Sequence, residues 1–234
     1  MQRDSSLEAL SALAEPTRRA LYEFIASQDG WVSRDQAADA VGLERGNVAH
    51  HLDRLAADGL LDVDYQRRSG RQGPGAGRPA KLYRRARREF DVALPPRDYA
   101  LAGQLLADAV ERARSTGADL DVALDRAAAA EGRRIGDEID AQLRANATHT
   151  REDREQVVLD ALAEHGYEPQ AEANGTVVLR NCPFHQLARQ HTSLICGLNL
   201  CMLTAALDHI GDVGLTPQLE PEEDRCCVKL RPKG

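Results

Sequence analysis

The sequence predicts a mainly helical α+β protein in three segments. Three observations carry that reading. Aromatic residues are 4% of the 234 residues, and Ala, Leu, Arg and Glu dominate, a composition that favours helices over a β-sandwich. The charge is divided: residues 1–90 have a small positive net charge, and the remainder carries all of the acidic excess behind the overall net charge of −7. All five cysteines fall after position 181, at Cys182, Cys196, Cys201, Cys226 and Cys227. The expected segments are 1–90, 91–148 and 149–234. No apolar run reaches the roughly 18–20 residues of a membrane span, and the N-terminus lacks a basic-then-apolar signal pattern. A cytoplasmic location is therefore expected, and the Asn-x-Thr triplets at Asn146 and Asn174 carry no glycosylation meaning.

The elements follow in order. From Leu7 the apolar positions Leu10, Leu13, Leu21, Phe24 and Ile25 keep helical spacing, Pro16 starts a new helix and Asp29-Gly30 ends it. Ser33 is placed to cap a short helix, Arg34 to Val41. After the turn at Gly42-Leu43 a third helix runs from about Arg45 to Asp58, its inner stripe formed by Val48, Leu52 and Leu55. Its other face carries Arg45, Asn47, His50, His51 and Arg54, all hydrogen-bond donors. A short helix, a tight turn and a polar-faced helix make a helix-turn-helix, whose last helix is the one that enters a DNA major groove. Leu61 to Tyr65 and Ala80 to Tyr83 read as the strands of a hairpin wing, joined by a Gly/Arg-rich tip that holds Arg71 and Arg78. Tyr65 to Arg88 contains nine basic residues and no acid, an electrostatic footprint for phosphates. Arg34, Arg45, Asn47, His50, His51, Arg54, Arg71, Arg78 and Lys81 are the expected contacts to double-stranded DNA.

Three stretches carry a resemblance: Glu15-Pro-Thr-Arg-Arg19, Gly42 to Leu55, and Gly77-Arg-Pro-Ala-Lys-Leu-Tyr83. Together they resemble ArsR/DeoR-type bacterial winged-helix regulators over residues 7–88. One departure is Glu44, where such turns usually place Ser or Thr; a carboxylate there makes a weaker cap.

Pro95-Pro96 marks a boundary, and residues 97–114 and 119–145 read as long helices suited to dimerisation. Beyond Thr150 the sequence predicts a helix from Arg151 to His165 and a hairpin, Tyr167–Ala173 and Thr176–Arg180, around Asn174-Gly175. A helix through Cys196 to Ile210 and a closing strand, Cys226 to Leu230, complete it. An odd number of cysteines without a secretion signal argues against a disulfide framework, and clustered thiols suit iron–sulfur clusters or zinc. Cys182, Cys196 and Cys226 form the expected metal-ligating set. Cys196 and Cys201 stand about 140° apart around a helix, so Cys201, with Leu198 and Ala205, is expected in the core. Strand alternation points Cys226 inward and Cys227 outward. A fourth ligand is sought among Asn199, His185 and His191.

Asn181-Cys-Pro-Phe-His185, Thr192-Ser-Leu-Ile-Cys-Gly-Leu-Asn199 and Cys226-Cys-Val-Lys-Leu230 resemble the sensor domain of SufR-type regulators. That resemblance implies a homodimeric repressor whose operator binding is controlled by an iron–sulfur cluster, of the 4Fe-4S or 2Fe-2S type. The rival readings keep the DNA-binding module but give it a structural zinc, a thiol-redox switch, or a small-molecule sensor without metal. No Ser/His/Asp, phosphate-loop or Cys-x-x-Cys signature is present, so enzymatic activity is not expected.

Overall fold

The structure is a computed structural model that describes residues 2–66, 79–146, 150–222 and 224–233. It has two compact units, residues 1–92 and 93–234.

In the first unit, α1 (Gln2–Leu13) buries Ala9 and Ala12 and leaves Leu7 and Leu10 exposed, so the sequence stripe placed this helix's inner face wrongly. α2 (Pro16–Ala26) starts on a proline whose missing N–H costs nothing at a helix start. The Glu15 carboxylate accepts from the amides of Thr17 and Arg18, both at 2.8 Å. Desolvation would raise its pKa, but these two amides outweigh it and hold the carboxyl at about 2. β1 (Val32–Ser33) is a strand too short to show periodicity in sequence. Ser33 and Gln36 close a reciprocal capping box at the start of α3 (Arg34–Val41), which ends on Gly42 in the left-handed conformation, φ 68°. α4 (Arg45–Ala57) follows, and β2 (Leu61–Gln66) pairs antiparallel with β3 (Ala80–Arg85) from Leu61–Arg85 to Gln66–Ala80. β1 adds to the other edge of β3, giving the order β1-β3-β2. Leu21, Ile25, Val48, Leu52, Leu55 and Tyr83 are fully buried between the helices and the sheet. This is a winged helix-turn-helix.

The second unit opens with α5 (Tyr99–Thr116) and α6 (Leu120–Ala145), capped by Asp98 and Asp119. α7 (Arg151–Glu164), capped by Thr150, leads to β4 (Pro169–Ala171) and β5 (Val177–Leu179). α8 (His185–Gln190) and α9 (Thr192–Ile210) come next, then β6 (Leu215–Leu219) and β7 (Val228–Pro232). All pairings in the sheet, ordered β4-β5-β7-β6, are antiparallel. One apolar core spans the unit, from Leu105 and Ile135 to Tyr167, Phe184, Ile195, Met202 and Val228. The helices of residues 91–148 and the cysteine-bearing residues 149–234, read as separate segments in sequence, thus share a single core. Here α6 lies directly against α9: a Cβ on Gly132 would stand 2.2 Å from the Met202 carbonyl oxygen. α9 is long and apolar enough to cross a membrane by composition, and its buried residues from Ile195 to Ile210 belong to this core.

Candidate functional site

α4 presents Arg45, Asn47, His50 and Arg54 on its exposed face, opposite buried Val48, Leu52 and Leu55. Glu44 makes no side-chain cap, leaving the first-turn amides of α4 without that partner. Arg45 is 3.3 Å from Asp35 and Arg54 donates to Asp58 at 2.9 Å, so both arms lie along the protein surface. His51 departs from expectation. It turns inward, its Nδ1 buried and 3.4 Å from the Glu15 carboxylate, and belongs to the α2–α4 packing rather than to the displayed face.

The wing base is built around a residue the sequence reading passed over. Asp53, on α4, accepts from Lys81 at 2.6 Å and from the Tyr83 hydroxyl at 3.0 Å, joining the helix to β3. Desolvation pushes the Asp53 pKa up, but the two donors prevail and hold the carboxyl below its usual range. A carboxylate among basic residues gives no motif; only the 28-residue pairing with Lys81 reveals its role. Arg34, Lys81 and Asp53 line a cavity of about 480 Å³ with Ser33 and Tyr65, and the Arg34 Nε is buried there without a hydrogen-bond partner among the described residues. Arg84 stacks on Trp31 at 4.5 Å and pairs with Asp62 at 3.2 Å. Arg71 and Arg78 lie outside the described residues.

Residues 13–64 match a helix-turn-helix domain family. The match supports a DNA-binding transcriptional regulator of the winged-helix kind, a class typically without enzymatic activity. It covers α2 to β2 and stops before the second unit. No curated protein matches the chain.

The second unit collects thiols. Cys182 follows β5, Cys196 lies in the first turns of α9, and Cys226 and Cys227 immediately precede β7; all four are buried. The expectation that Cys227 points outward fails because the strand begins at Val228, so alternation along a strand does not govern the two cysteines. The thiols influence one another pairwise, Cys182 with Cys226 and Cys196 with Cys227, and each pair feels the other electrostatically. The Cys226 thiol beside it draws the Cys182 pKa down, helped by the Phe184 amide and the Arg97 guanidinium against the cost of burial. The Cys182 thiol, together with burial, pushes Cys226 well up. Burial, then the partner thiol Cys227, raises Cys196 to about 12.

Asn199, considered in sequence as a ligand, is instead a hydrogen-bond bridge. Its Nδ2 donates to the Cys226 Sγ at 3.2 Å, and its Oδ1 accepts from the buried Tyr167 hydroxyl. In sequence it stands in the Thr192–Asn199 stretch, three residues after Cys196. Cys201 is half-buried rather than buried, and its Sγ donates to the Asp125 carbonyl on α6 at 3.4 Å, away from the other thiols. His185 lines a cavity of about 620 Å³ with Cys182, Cys227, Arg189, Glu222 and Arg225. His191, exposed at the start of α9, does not line it. Among the described residues no three His, Cys, Asp or Glu side chains are arranged to hold a single metal ion. The donor set is soft sulfur, drawn from three elements and bordered by a cavity. Soft sulfur is the donor type that iron–sulfur clusters and zinc take.

Proposed function

We propose that this protein is a SufR-type regulator, a homodimer whose operator binding depends on an iron–sulfur cluster held by Cys182, Cys196, Cys226 and Cys227. The observation that carries the reading is the gathering of four buried thiols from three separate parts of the chain, two of which, Cys182 and Cys227, line one cavity. Thiolates are the ligands such clusters take, and a cluster would supply a redox- and oxygen-sensitive state that amino-acid side chains alone do not. Cys227 completes a four-sulfur set in this reading, and His185, at the same cavity, is the side chain that competes for that place. Asn199 hydrogen-bonds one of the sulfurs, the kind of outer contact that tunes a cluster's potential. The homodimer is supported by the helix-turn-helix itself, since such modules read two half-sites one helical turn apart.

Protein purified without oxygen is expected to be brown, with iron and acid-labile sulfide in equal amounts and visible absorbance that bleaches in air. A colourless protein holding zinc would decide for the structural-zinc reading. Colourless, metal-free protein with unaltered operator binding would remove the cluster from the function altogether.

The DNA face makes its own forecast. Asn47→Ala removes an exposed amide suited to an adenine edge and should relax sequence preference, costing about 1–3 kcal/mol at the contacted base pair. Lys81→Ala should weaken binding to every duplex alike and lower the salt slope by about 1. Fluorescence anisotropy across a salt series with matched and scrambled duplexes separates the two; equal loss on both duplexes for Asn47→Ala would remove it from base reading.

A further inference from the structure

The short peptide that leaves the DNA-binding unit is tied to the loop that carries Cys182. The first unit ends at Val92, and residues 93–98 run from there to the cap of α5. Asn181, the residue before Cys182, is 5% exposed, and its Nδ2 donates to the carbonyls of Pro96 at 2.9 Å and Gly166 at 2.6 Å. The Arg97 Nη1 donates to the Asn181 Oδ1, to the Cys182 carbonyl at 3.1 Å and to the Pro96 carbonyl at 3.0 Å. The Asp98 amide donates to the Pro183 carbonyl at 3.0 Å. Both amide hydrogens and the oxygen of a buried asparagine are thus spent on one lacing, and removing Arg97 leaves the Asn181 oxygen buried and unpaired.

We infer that Arg97 and Asn181 are positioning residues that make the 94–98 strap and the Cys182 loop one mechanical piece, so that the state of the thiol site is passed to the peptide leading into the DNA-binding unit. The proposal rests on the cluster reading for what moves Cys182, but the lacing itself is a property of this chain. The strap holds the Cys182 backbone carbonyl and the Asn181 side chain, so a shift of the Cys182 loop cannot leave Pro96 and Arg97 where they are without breaking several part-buried hydrogen bonds.

Two measurements test it. The first needs no cluster: hydrogen–deuterium exchange of metal-free wild type, Arg97→Ala, Arg97→Lys and Asn181→Ala. In Arg97→Ala the Asp98 amide and the 181–185 backbone should exchange faster together, by roughly tenfold, as local opening of a linked unit requires. Arg97→Lys, which keeps one donor, should fall between; Asn181→Ala should match Arg97→Ala, and if it fails to fold the two Arg97 variants suffice. An Asp98 amide that stays protected in Arg97→Ala overturns the proposal. The second measurement uses protein reconstituted anaerobically with ferrous iron and sulfide, and duplexes selected from a random pool by the wild type. Wild type should change its affinity on loading by at least about fivefold, the lower end of ordinary site-to-site coupling. Arg97→Ala should keep its iron while that ratio falls towards one, and Arg97→Lys should restore part of it. Full iron with a full ratio in Arg97→Ala overturns the proposal. Loss of iron in Arg97→Ala supports it where Arg97→Lys restores both iron and Asp98 protection, and overturns it otherwise. Wild type that takes up no iron ends the cluster reading alone, and the exchange experiment then decides the lacing by itself.

Discussion

Single serine replacements of Cys182, Cys196, Cys226 and Cys227 are each expected to strip the visible chromophore and most of the iron from anaerobically prepared protein, while Cys201→Ser keeps both. Serine preserves shape and burial but replaces a soft, polarizable sulfur with a hard oxygen that stays protonated near neutral pH, so it removes a thiolate ligand and little else. The four positions are buried and paired as Cys182–Cys226 and Cys196–Cys227. Cys201 is turned to the Asp125 carbonyl on α6 and has no sulfur neighbour among those interactions. Cys227 is the most telling of the five, because strand alternation predicts that its serine variant is spared and the buried pairing with Cys196 predicts that it is not. Iron and sulfide analysis with absorbance spectra reads all five variants. If Cys227→Ser keeps full iron while the other three lose it, the fourth ligand is not this thiol. If all four keep their iron, the site is elsewhere.

The parts of the fold that were legible in sequence were those governed by local rules. Ser33, Pro16 and Gly42 announce helix boundaries through local preferences, and the Val48–Leu52–Leu55 stripe fixes which side of α4 faces inward. What was not legible depends on pairing across long sequence separations. β1 is two residues long, and only its register with Tyr83 and Leu82 makes it a strand. β6, with Pro217 in its middle, has no clear alternation and is defined by its bonds to β7. The same limit explains the site. Cys182, Cys196 and Cys226 could be selected by position at element ends, but the role of Cys227 turned on where β7 begins, a shift of two residues that changes which rule applies. His51 fitted the polar face by rotation about α4, yet Glu15, 36 residues earlier, offers it a carboxylate neighbour. Arg97 and Asn181 carry no motif at all, because an arginine before a helix and an asparagine before a cysteine acquire meaning only when 84 residues apart in sequence becomes adjacent in space.

Gly132→Ala is expected to destabilise the second unit by about 1–3 kcal/mol, the usual cost of overfilling a packed interior. Taken alone the change favours folding, since alanine in a helix interior is better than glycine by roughly 0.8–1 kcal/mol. Geometry reverses the sign. The added Cβ would lie 2.2 Å from the Met202 carbonyl oxygen and 2.8 Å from the Ala205 Cβ, and the first of these is backbone of α9, which cannot rotate aside as a side chain can. α6 and α9 must therefore move apart, loosening the core to which Ile135, Ile139, Leu203 and Ala206 belong, all nearly free of solvent. Gly103 on α5 supplies the control: nothing lies within 4 Å of the Cβ it would gain, so Gly103→Ala should stabilise by about 0.5–1 kcal/mol on helix propensity alone. Urea denaturation followed by circular dichroism reads both variants against wild type. Opposite signs for the two glycines show that α6 and α9 touch backbone to side; a shared stabilising sign would mean that the helices are not packed this closely. The same variant bears on the thiols, because Cys196 rides on α9 about one and two-thirds turns before Met202, so a helix displaced by Gly132→Ala carries Cys196 away from Cys227 and should weaken iron retention without touching a ligand.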